Sequence, residues 1–535
     1  MPVPPYFKSR RSVVAVANGM LATTHPLAAV AGLSVLQSGG NAADAAVAAA
    51  FTLNVVEPFN NGLGGDMFAL VWSAREKQVQ ALNASGPAPA AATIAEMQRW
   101  GVESTMPETG LLPVTVPGAV GGLSSLLQRH GTMPLSALLR PAIRYASEGF
   151  PVPEVMARQW QAGQALLAST PEAAAQYLFG GEAPQAGQIV CLPQLAETLK
   201  MLASEGPDSF YRGPIAAAIS KYCEQHDGLL TAADLARYRP EWVEPISTEY
   251  RGVRIYECPP NGQGIVTLEA LNILEGYDLA TFRGESADVR HVQIEALRHA
   301  FADGLAYVAD PACVPVPVQA LLAKEYAAHR RDTIDMQRAH PSPLPGTFTG
   351  DDTIYLTVVD KDRNAVSLIS SLYFSFGSGV VAGDTGILLQ NRGAGFSLDT
   401  AHPNALAPGK RTSHTIIPAL ATRDHELWLS FGLVGGYMQP QGHVQLINNL
   451  VDFGVDVQAA LDAPRFRLQL DGTVTLESGH APEVVSELSA RGHTLTPGVA
   501  ESITFGGGQI IAIDLESGAL LGGSEPRKDG CAIGF

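Results

Sequence analysis

Two neighbouring apolar segments constrain the fold of this chain more than any other feature. Residues 353–360 alternate between two faces, with Ile354, Leu356 and Val358 on one and Tyr355, Thr357 and Val359 on the other. A second apolar run covers residues 365–369, and the connection between the two runs is the polar turn sequence DKDRN. The pattern predicts a β-hairpin that lies in the protein core and begins at Thr353, directly after a polar Gly-Asp-Asp loop.

The other periodic segments predict helices mostly before this hairpin and strands mostly after it. Residues 42–56 are alanine-rich and almost uncharged, so this helix should be buried, with Asn41 as its N-cap and Asp44 as its acidic partner. Further helices are predicted at 120–129, 135–149, 265–274, 291–310 and 439–451, the second of them with a kink at Pro141. Further strands are predicted at 67–72, 246–257, 473–477 and 503–513. Helices and strands that cover one another in this way favour an α+β fold of stacked layers with two central sheets.

Composition and charge exclude several classes of function. The net charge of −17 argues against a nucleic-acid binder, and no apolar run approaches the ~18 residues of a membrane span. Five scattered cysteines without a CxxC motif indicate reduced thiols, from which we predict a cytoplasmic protein. Because no HExxH, EF-hand, Walker or GxSxG motif occurs, we expect no metal ion and no cofactor. The glycine-rich loop at 62–66 fits either phosphate binding or close packing beside a site.

Thr353 is the candidate nucleophile. If the Asp352–Thr353 bond were cut, the new α-amine of Thr353 could act as the base for its own hydroxyl. The proline-rich segment at 311–352 has the composition of a flexible connection, which such a cleavage requires. The alternative is an ordinary β-branched residue at the start of a strand.

The sequence resembles the γ-glutamyltransferase family of self-processing N-terminal-nucleophile (Ntn) hydrolases. The similarity runs along nearly the whole chain, through the runs SGGNAADAAVAAAFTLNVVEP, GLGGD, PPNGQG, DDTIYLTVVDKDRNAVS, APGKR, VGG and SEPRKDG. It implies a four-layer αββα sandwich made of two intertwined subunits from one precursor, residues 1–352 and 353–535. It also implies that Thr353 is the nucleophile, that Ser371 binds its new amine, and that Gly435 and Gly436 form the oxyanion hole.

The departures from the family pattern concern the substrate-binding residues. The family's arginine for the substrate α-carboxylate is missing from the run at 85–89, and Tyr373 and Arg392 stand where family residues contact substrate or bind its amine. His414 and Thr415 replace a serine pair. An arginine in a pocket that binds an ammonium group elsewhere in the family makes the pocket attract an anion instead, so Arg392 favours an anionic amide. Alternatively, Arg392 pairs with a structural carboxylate. His414 could polarise the substrate or stack on Tyr373.

These residues lead to one main functional hypothesis and two alternatives. The main hypothesis is a cofactor-free amidohydrolase or acyltransferase acting through an acyl-enzyme on a small anionic amide. Some runs resemble the subgroup that includes oxamate amidohydrolase, which fits this substrate. The alternatives are a γ-glutamyl hydrolase or transferase acting on glutathione-like compounds, and a non-catalytic relative that binds a small anion. The expected partners are the substrate and the chain's own two subunits, with a homodimer as a further possibility.

Overall fold

A computed structural model of the chain describes residues 11–282, 284, 286–340, 352–498 and 502–535. Its centre consists of two seven-stranded antiparallel sheets. Sheet I contains, in spatial order, β1 (Val14–Val16), β18 (Leu520–Ser524), β17 (Gly507–Ile513), β13 (Glu426–Val434), β12 (Ala419–Arg423), β9 (Val253–Glu257) and β8 (Ile246–Tyr250). Sheet II contains β19 (Cys531–Gly534), β2 (Met20–Thr23), β10 (Asp352–Val359), β11 (Ala365–Tyr373), β3 (Asp66–Ser73), β4 (Gln78–Ala84) and β7 (Glu241–Val243).

Helices cover the outer face of each sheet. Those that share a core with sheet II are α1 (Pro26–Gln37), α2 (Ala42–Val56), α4 (Ala119–His130), α5 (Leu135–Leu138), α6 (Arg140–Glu148), α7 (Glu154–Ala162), α8 (Gln164–Leu167), α9 (Pro171–Tyr177), α10 (Pro193–Glu205), α11 (Asp208–Tyr211), α12 (Pro214–Gln225) and α13 (Ala232–Arg237). Those on sheet I are α14 (Gly264–Leu274), α15 (Ala287–Tyr307), α16 (Val318–Leu321), α17 (Lys324–Arg331), α18 (Met438–Val451), α19 (Val457–Asp462) and α20 (Pro482–Ala490).

The remaining elements are short and peripheral to the two sheets. They are α3 (Ile94–Arg99), the ribbon of β5 (Phe150–Pro151) and β6 (Ile189–Val190), the small sheet of β14 (Phe466–Leu468), β15 (Val474–Leu476) and β16 (Leu495–Pro497), and 3₁₀ turns at Leu279–Thr281, Gly383–Thr385, Arg392–Gly395 and Ile503–Phe505.

Three apolar cores separate the four layers, and the β10–β11 hairpin contributes to two of them. Ile354, Leu356 and Val358 pack with the buried helix α2 in the outer core of sheet II. Tyr355 and Val359 face the other way, into the core between the sheets. The two-sided burial predicted from the alternating pattern is therefore confirmed, and so is the αββα layering.

The helix predictions are confirmed in the buried regions and corrected at one proline. The capping box of Asn41 and Asp44 opens α2, all of whose residues are buried. The kinked helix predicted at 135–149 is divided into two helices, α5 and α6, because Pro141 at the second position of α6 cannot continue the hydrogen bonding of a helix before it. Of the segment predicted to be flexible, 311–340 contains α16 and α17, and 341–351 lies outside the described residues. No helix in the described part of the chain is long and apolar enough to cross a membrane.

Glu57, which follows α2, is a buried carboxyl group with a testable pH dependence. It accepts hydrogen bonds from the Thr24 hydroxyl at 2.5 Å and the Asn60 amide at 2.6 Å, and burial raises its pKa from 4.5 to about 7. Since the folded protein holds this proton more tightly than the unfolded chain, the stabilising contribution is present below pH 4.5 and is lost as pH rises to about 7.

We expect Glu57→Gln to remove this pH dependence. The oxygen of the introduced glutamine can still accept from Asn60, and its amide can donate to the Thr24 hydroxyl, so the hydrogen bonds are retained without a charge. Above pH 7 the variant should be more stable than the wild type by on the order of 3 kcal/mol, with the two converging near pH 4.5. Thermal melts from pH 4.5 to 8 measure the difference. A constant difference across that range would contradict the raised pKa.

Candidate active site

Thr353 lies at a β-bulge near the start of β10. Asp352 pairs with Tyr373 and Ile354 pairs with Ser370, so two residues of β11, Ser371 and Leu372, oppose the single residue Thr353. Thr353 is 1% exposed, and its Oγ1 lies 3.5 Å from the Ser371 Oγ. The structure thus brings together the predicted nucleophile and the predicted partner of its amine. Asp352 lies in the strand, on the other side of the predicted cleavage bond.

The chain around Ser371 is held in an unusual conformation. The Ser371 Oγ accepts a hydrogen bond from the Tyr373 N–H at 2.7 Å, and Tyr373 has a positive φ of 86°. Such a backbone is uncommon for a bulky residue and persists where the surroundings enforce it, often at functional sites. Tyr373 is buried, and its ring stacks against Phe374 at 4.3 Å between centroids.

Gly435 and Gly436 follow the end of β13 in sheet I, the strand whose Ser430 hydroxyl contacts Thr357 of β10. Both have positive φ, 117° and 54°, and a Cβ on Gly435 would lie 3.1 Å from the Gly506 Cα. Among the described residues, neither N–H group donates a hydrogen bond. Two adjacent unpaired N–H groups in a left-handed turn can bind an oxyanion, as predicted for this pair.

Arg392 is the central polar residue of the site. Its Nη1 donates to the Thr415 Oγ1 at 3.1 Å, its Nη2 lies 3.5 Å from the Ser371 Oγ, and its guanidinium stacks over the Tyr373 ring at 3.9 Å. Arg392 is 1% exposed, and its Nε has no partner among the described residues. Burial lowers the Arg392 pKa to about 10, so it is a cation at neutral pH. Arg392 therefore connects Ser371, the hydroxyl neighbour of Thr353, to Thr415.

Asp66 completes the site, although its place in the sequence did not mark it as a site residue. Its carboxylate accepts from the N–H groups of Gly86 at 3.0 Å and Gly118 at 3.1 Å, and from the Gln390 amide at 2.9 Å. Burial raises its pKa to about 7, opposed by the charge of Arg392. The available signal was its position after the glycine-rich loop 62–65 and at the start of a predicted strand. The loop is thus used for close packing: a Cβ on Gly64 would lie 2.0 Å from the Leu388 carbonyl oxygen.

His414 is neutral, and both of its ring nitrogens take part in hydrogen bonds. Its Nδ1 accepts the Ile416 N–H at 3.3 Å, which places the ring proton on Nε2, and that group donates to the Asp66 Oδ2 at 3.2 Å. Burial and the charge of Arg392 hold its pKa well below the usual range. Its ring packs on Phe68, with centroids 4.9 Å apart, whereas Arg392 covers Tyr373. Of the two roles left open, stacking on Tyr373 does not occur in this structure, and both nitrogens are already engaged.

Gln263, from the run PPNGQG, links the two halves of the site. Its amide donates to the Thr415 carbonyl at 2.6 Å and the Gly436 carbonyl at 3.0 Å. Its Oε1 has no partner within the described ranges. These bonds hold Thr415, on the Arg392 side, next to the glycine pair. Gln263, His414 and Thr415 form the polar end of a cleft of about 430 Å³ that opens to solvent.

A buried pair behind the glycine turn supports its strand. The His443 Nε2 accepts the Leu433 N–H at 3.2 Å, beyond the last pairing of β13 with β12, and its Nδ1 donates to the Glu257 Oε1 at 2.8 Å. Both side chains are fully buried. Burial raises the Glu257 pKa well above its usual range. Only the tertiary fold shows this pair, because Glu257 and His443 belong to different parts of the chain.

The expectation of no metal stays a prediction. Within the described residues, one group could supply three metal ligands: His291, Glu295 and His493, whose ligand atoms lie within 4.8 Å of one another. The His291 Nδ1 and the His493 Nε2 are joined by a 2.8 Å hydrogen bond. This group does not line the cleft described above.

The arrangement contains the parts that acyl transfer requires. The hydroxyl of Thr353, the predicted nucleophile, lies beside the Ser371 hydroxyl and the buried cation of Arg392. Gln263 connects Thr415, the partner of Arg392, to the glycine pair. An N-terminal threonine can activate its own hydroxyl, and the glycine pair can stabilise a tetrahedral oxyanion.

Comparisons with known proteins agree with this geometry. The family model described as gamma-glutamyltranspeptidase matches residues 28–535. The chain is 38% identical to the glutathione hydrolase-like YwrD proenzyme of Bacillus subtilis, over 96% of this chain and 98% of that protein. It is 36% identical to the oxamate amidohydrolase proenzyme of Klebsiella pneumoniae, over 97% and 98% of the two chains. The crystal structure of cephalosporin acylase from Bacillus halodurans superposes with a TM-score of 0.93 at 45% identity, over 100% and 99% of the two chains. The chain therefore belongs to the gamma-glutamyltranspeptidase family and is an enzyme with its Ntn-hydrolase fold.

Proposed function

We propose that the chain is a proenzyme that cuts itself before Thr353 and then acts as an amidohydrolase or acyltransferase. Cleavage would release a large subunit of residues 1–352 and a small one of 353–535, which stay together because β10 lies between β2 and β11 in sheet II. Relatives with acylase, glutathione hydrolase and oxamate amidohydrolase names are also described as proenzymes, which supports this processing. The new amine of Thr353 would accept the hydroxyl proton as Oγ1 attacks the substrate carbonyl.

One observation carries the substrate assignment: Arg392 is a buried cation with no carboxylate oxygen of the described residues in direct contact. No carboxylate oxygen of the described residues lies within 4.0 Å of its guanidinium, although its charge raises the cost of burial. Hydroxyl groups and one aromatic ring are its recorded partners. The alternative of a structural ion pair is supported only by the electrostatic attraction between Arg392 and Asp66, whose carboxylate is already hydrogen-bonded to Gln390. A buried cation without a closer carboxylate fits a substrate anion. We propose that Arg392 binds a carboxylate on the acyl group of the amide.

The same cation disfavours a γ-glutamyl substrate. The glutamate α-amine would be an ammonium group beside a buried guanidinium, and like charges in a desolvated site repel by several kcal/mol. A second candidate, a γ-glutamyl hydrolase or transferase with different recognition residues, keeps support from relatives named glutathione hydrolase. Oxamate is the smallest amide that satisfies the proposal, since its carboxylate adjoins the carbonyl. A cytoplasmic location and a homodimer stay predictions.

A substrate panel tests the proposal. The cut protein should release ammonia from oxamate, and amine from other amides with a carboxylate on the acyl group, at least about 100-fold faster than aniline from γ-glutamyl anilide. The comparison is of kcat/KM, in which 1.4 kcal/mol corresponds to a factor of ten. Faster turnover of γ-glutamyl anilide than of all the anionic amides would favour the second candidate. Binding of anions without turnover by fully cut protein would indicate a non-catalytic relative.

A further inference from the structure

The cleft beside the site is much larger and more apolar than a small anionic amide needs. Its volume of about 430 Å³ falls in the range of about 300–1,000 Å³ typical of sites for drug-sized ligands. Apolar and aromatic side chains form one part of its lining, its apolar wall: Val266, Phe301, Leu305, Val308, Phe396 and Tyr437. Polar residues also line the cleft, among them Ser104, Thr105, Ser397, His402, Asn404 and Ser413. A molecule as small as oxamate would leave this wall in contact with water. The cleft is therefore a second binding region that the anion site does not explain.

The position of the cleft relates it to the scissile bond. Its polar end contains Thr415, which binds Arg392, and Gln263, which binds the carbonyl of Gly436. Tyr437, the residue after the predicted oxyanion pair, belongs to its wall. A substrate whose carbonyl lies at the glycine pair thus has the apolar wall directly beside it.

The closed side of the site determines which part of the substrate enters the cleft. Arg392 is 1% exposed and does not line the cleft, so an acyl carboxylate that pairs with it lies on the buried side of the site. The amine side of the amide must remain open, because the amine leaves and water or an acceptor enters there. The exposed residues of its lining are Ala302 and Ala306 of α15 together with Ser104 and Thr105, and the cleft is open to solvent beside them.

We propose that the cleft binds an apolar group carried by the leaving amine, so that the substrates are secondary amides joining a short anionic acyl group to a bulky apolar amine. This inference rests on the proposed function and narrows it. The Gln263 Oε1, which has no partner in the described part of the chain, is an acceptor for the N–H of such an amide. An apolar amine that buries roughly 100 Å² against the wall should raise kcat/KM by about 50-fold.

A matched series of amides tests the inference. Oxalyl methylamide and oxalyl phenethylamide share the acyl group and have alkylamine leaving groups. The ratio of their kcat/KM values therefore reports mainly the effect of the apolar group. We expect the wild type to prefer the phenethylamide by about 10- to 50-fold. Ala302→Phe, which narrows the open end of the cleft, should reduce this ratio to within about threefold, and Ala302→Ser should retain it. Circular dichroism and intact mass confirm that each variant is folded and cut.

Each other outcome has a definite meaning. Equal turnover of the two amides by the wild type would overturn the inference and leave the proposed function standing. An unchanged ratio in Ala302→Phe would show that the apolar group binds elsewhere. A preference that instead follows the length of an apolar acyl chain would overturn the assignment to the amine. No turnover of any anionic amide by cut protein would refute the proposed function itself.

Discussion

Replacing Thr353 with alanine should leave the chain as one uncut polypeptide with no measurable amide hydrolysis. The alanine variant lacks the hydroxyl that starts both the cleavage before residue 353 and the attack on substrate. Removing a nucleophile typically lowers kcat by a factor of about a thousand or more. Intact mass spectrometry after incubation reports the cleavage, and amine release from an anionic amide reports the activity.

The matched variant for this experiment is Thr353→Ser. Serine keeps a hydroxyl at the same position on the bulge, so it should be cut and retain partial activity, whereas both are absent in the alanine variant. Ser371 should not substitute for the nucleophile, because its Oγ already accepts the Tyr373 N–H at 2.7 Å. Cleavage of Thr353→Ala at the same bond would show that another group performs the reaction, and the proposed mechanism would then be wrong.

Replacing Arg392 with glutamine should remove the preference for anionic amides without unfolding the protein. A charge-assisted hydrogen bond is worth about 1.5–3 kcal/mol, so kcat/KM for oxamate-like amides should fall about 10- to 150-fold, while neutral amides change little. Because no carboxylate oxygen of the described residues lies within 4.0 Å of the buried guanidinium, its loss should leave the melting temperature unchanged or raise it.

Arg392→Lys separates the charge from the geometry at this position. Lysine supplies a point charge but cannot donate to both Thr415 and Ser371 in the planar arrangement of arginine, so we expect an intermediate kcat/KM for anionic amides. Equal losses on anionic and neutral amides in Arg392→Gln would show that Arg392 only supports the site. A large drop in melting temperature would point to the same structural role.

The layers of the fold could be predicted because buried helices and strands have characteristic local patterns of apolar residues. The alternation in residues 353–360 indicated two covered faces, and the uncharged run 42–56 indicated a buried helix; Tyr355 and Ile354 lie in different cores, as the alternation requires. The division at Pro141 was also visible, since proline interrupts helical hydrogen bonding. The order of strands in the sheets could not be predicted, because β10 pairs with β2 over more than 300 residues of chain.

The candidate site was predictable only where a residue's type and local position carry the chemistry. Thr353, Ser371, Arg392 and the glycine pair were identified, and the structure places the first three within contact of one another. Asp66 and Gln263 were missed as site residues because aspartate after a glycine loop and glutamine before a helix have many roles. Their roles follow from partners such as His414 and Gly436, which are remote in sequence.

The sequence by itself determined the family, the layered fold and the candidate nucleophile, since each depends on patterns that neighbouring residues carry together. Tertiary structure alone decided the surroundings of that nucleophile. Three features of these surroundings depend on segments hundreds of residues apart. They are the distance of Arg392 from protein carboxylates, the hydrogen bonds of the His414 nitrogens, and the amount of apolar space beside Thr415. Electrostatic energies and cavity shapes depend on distances in space, which spacing along a chain does not specify.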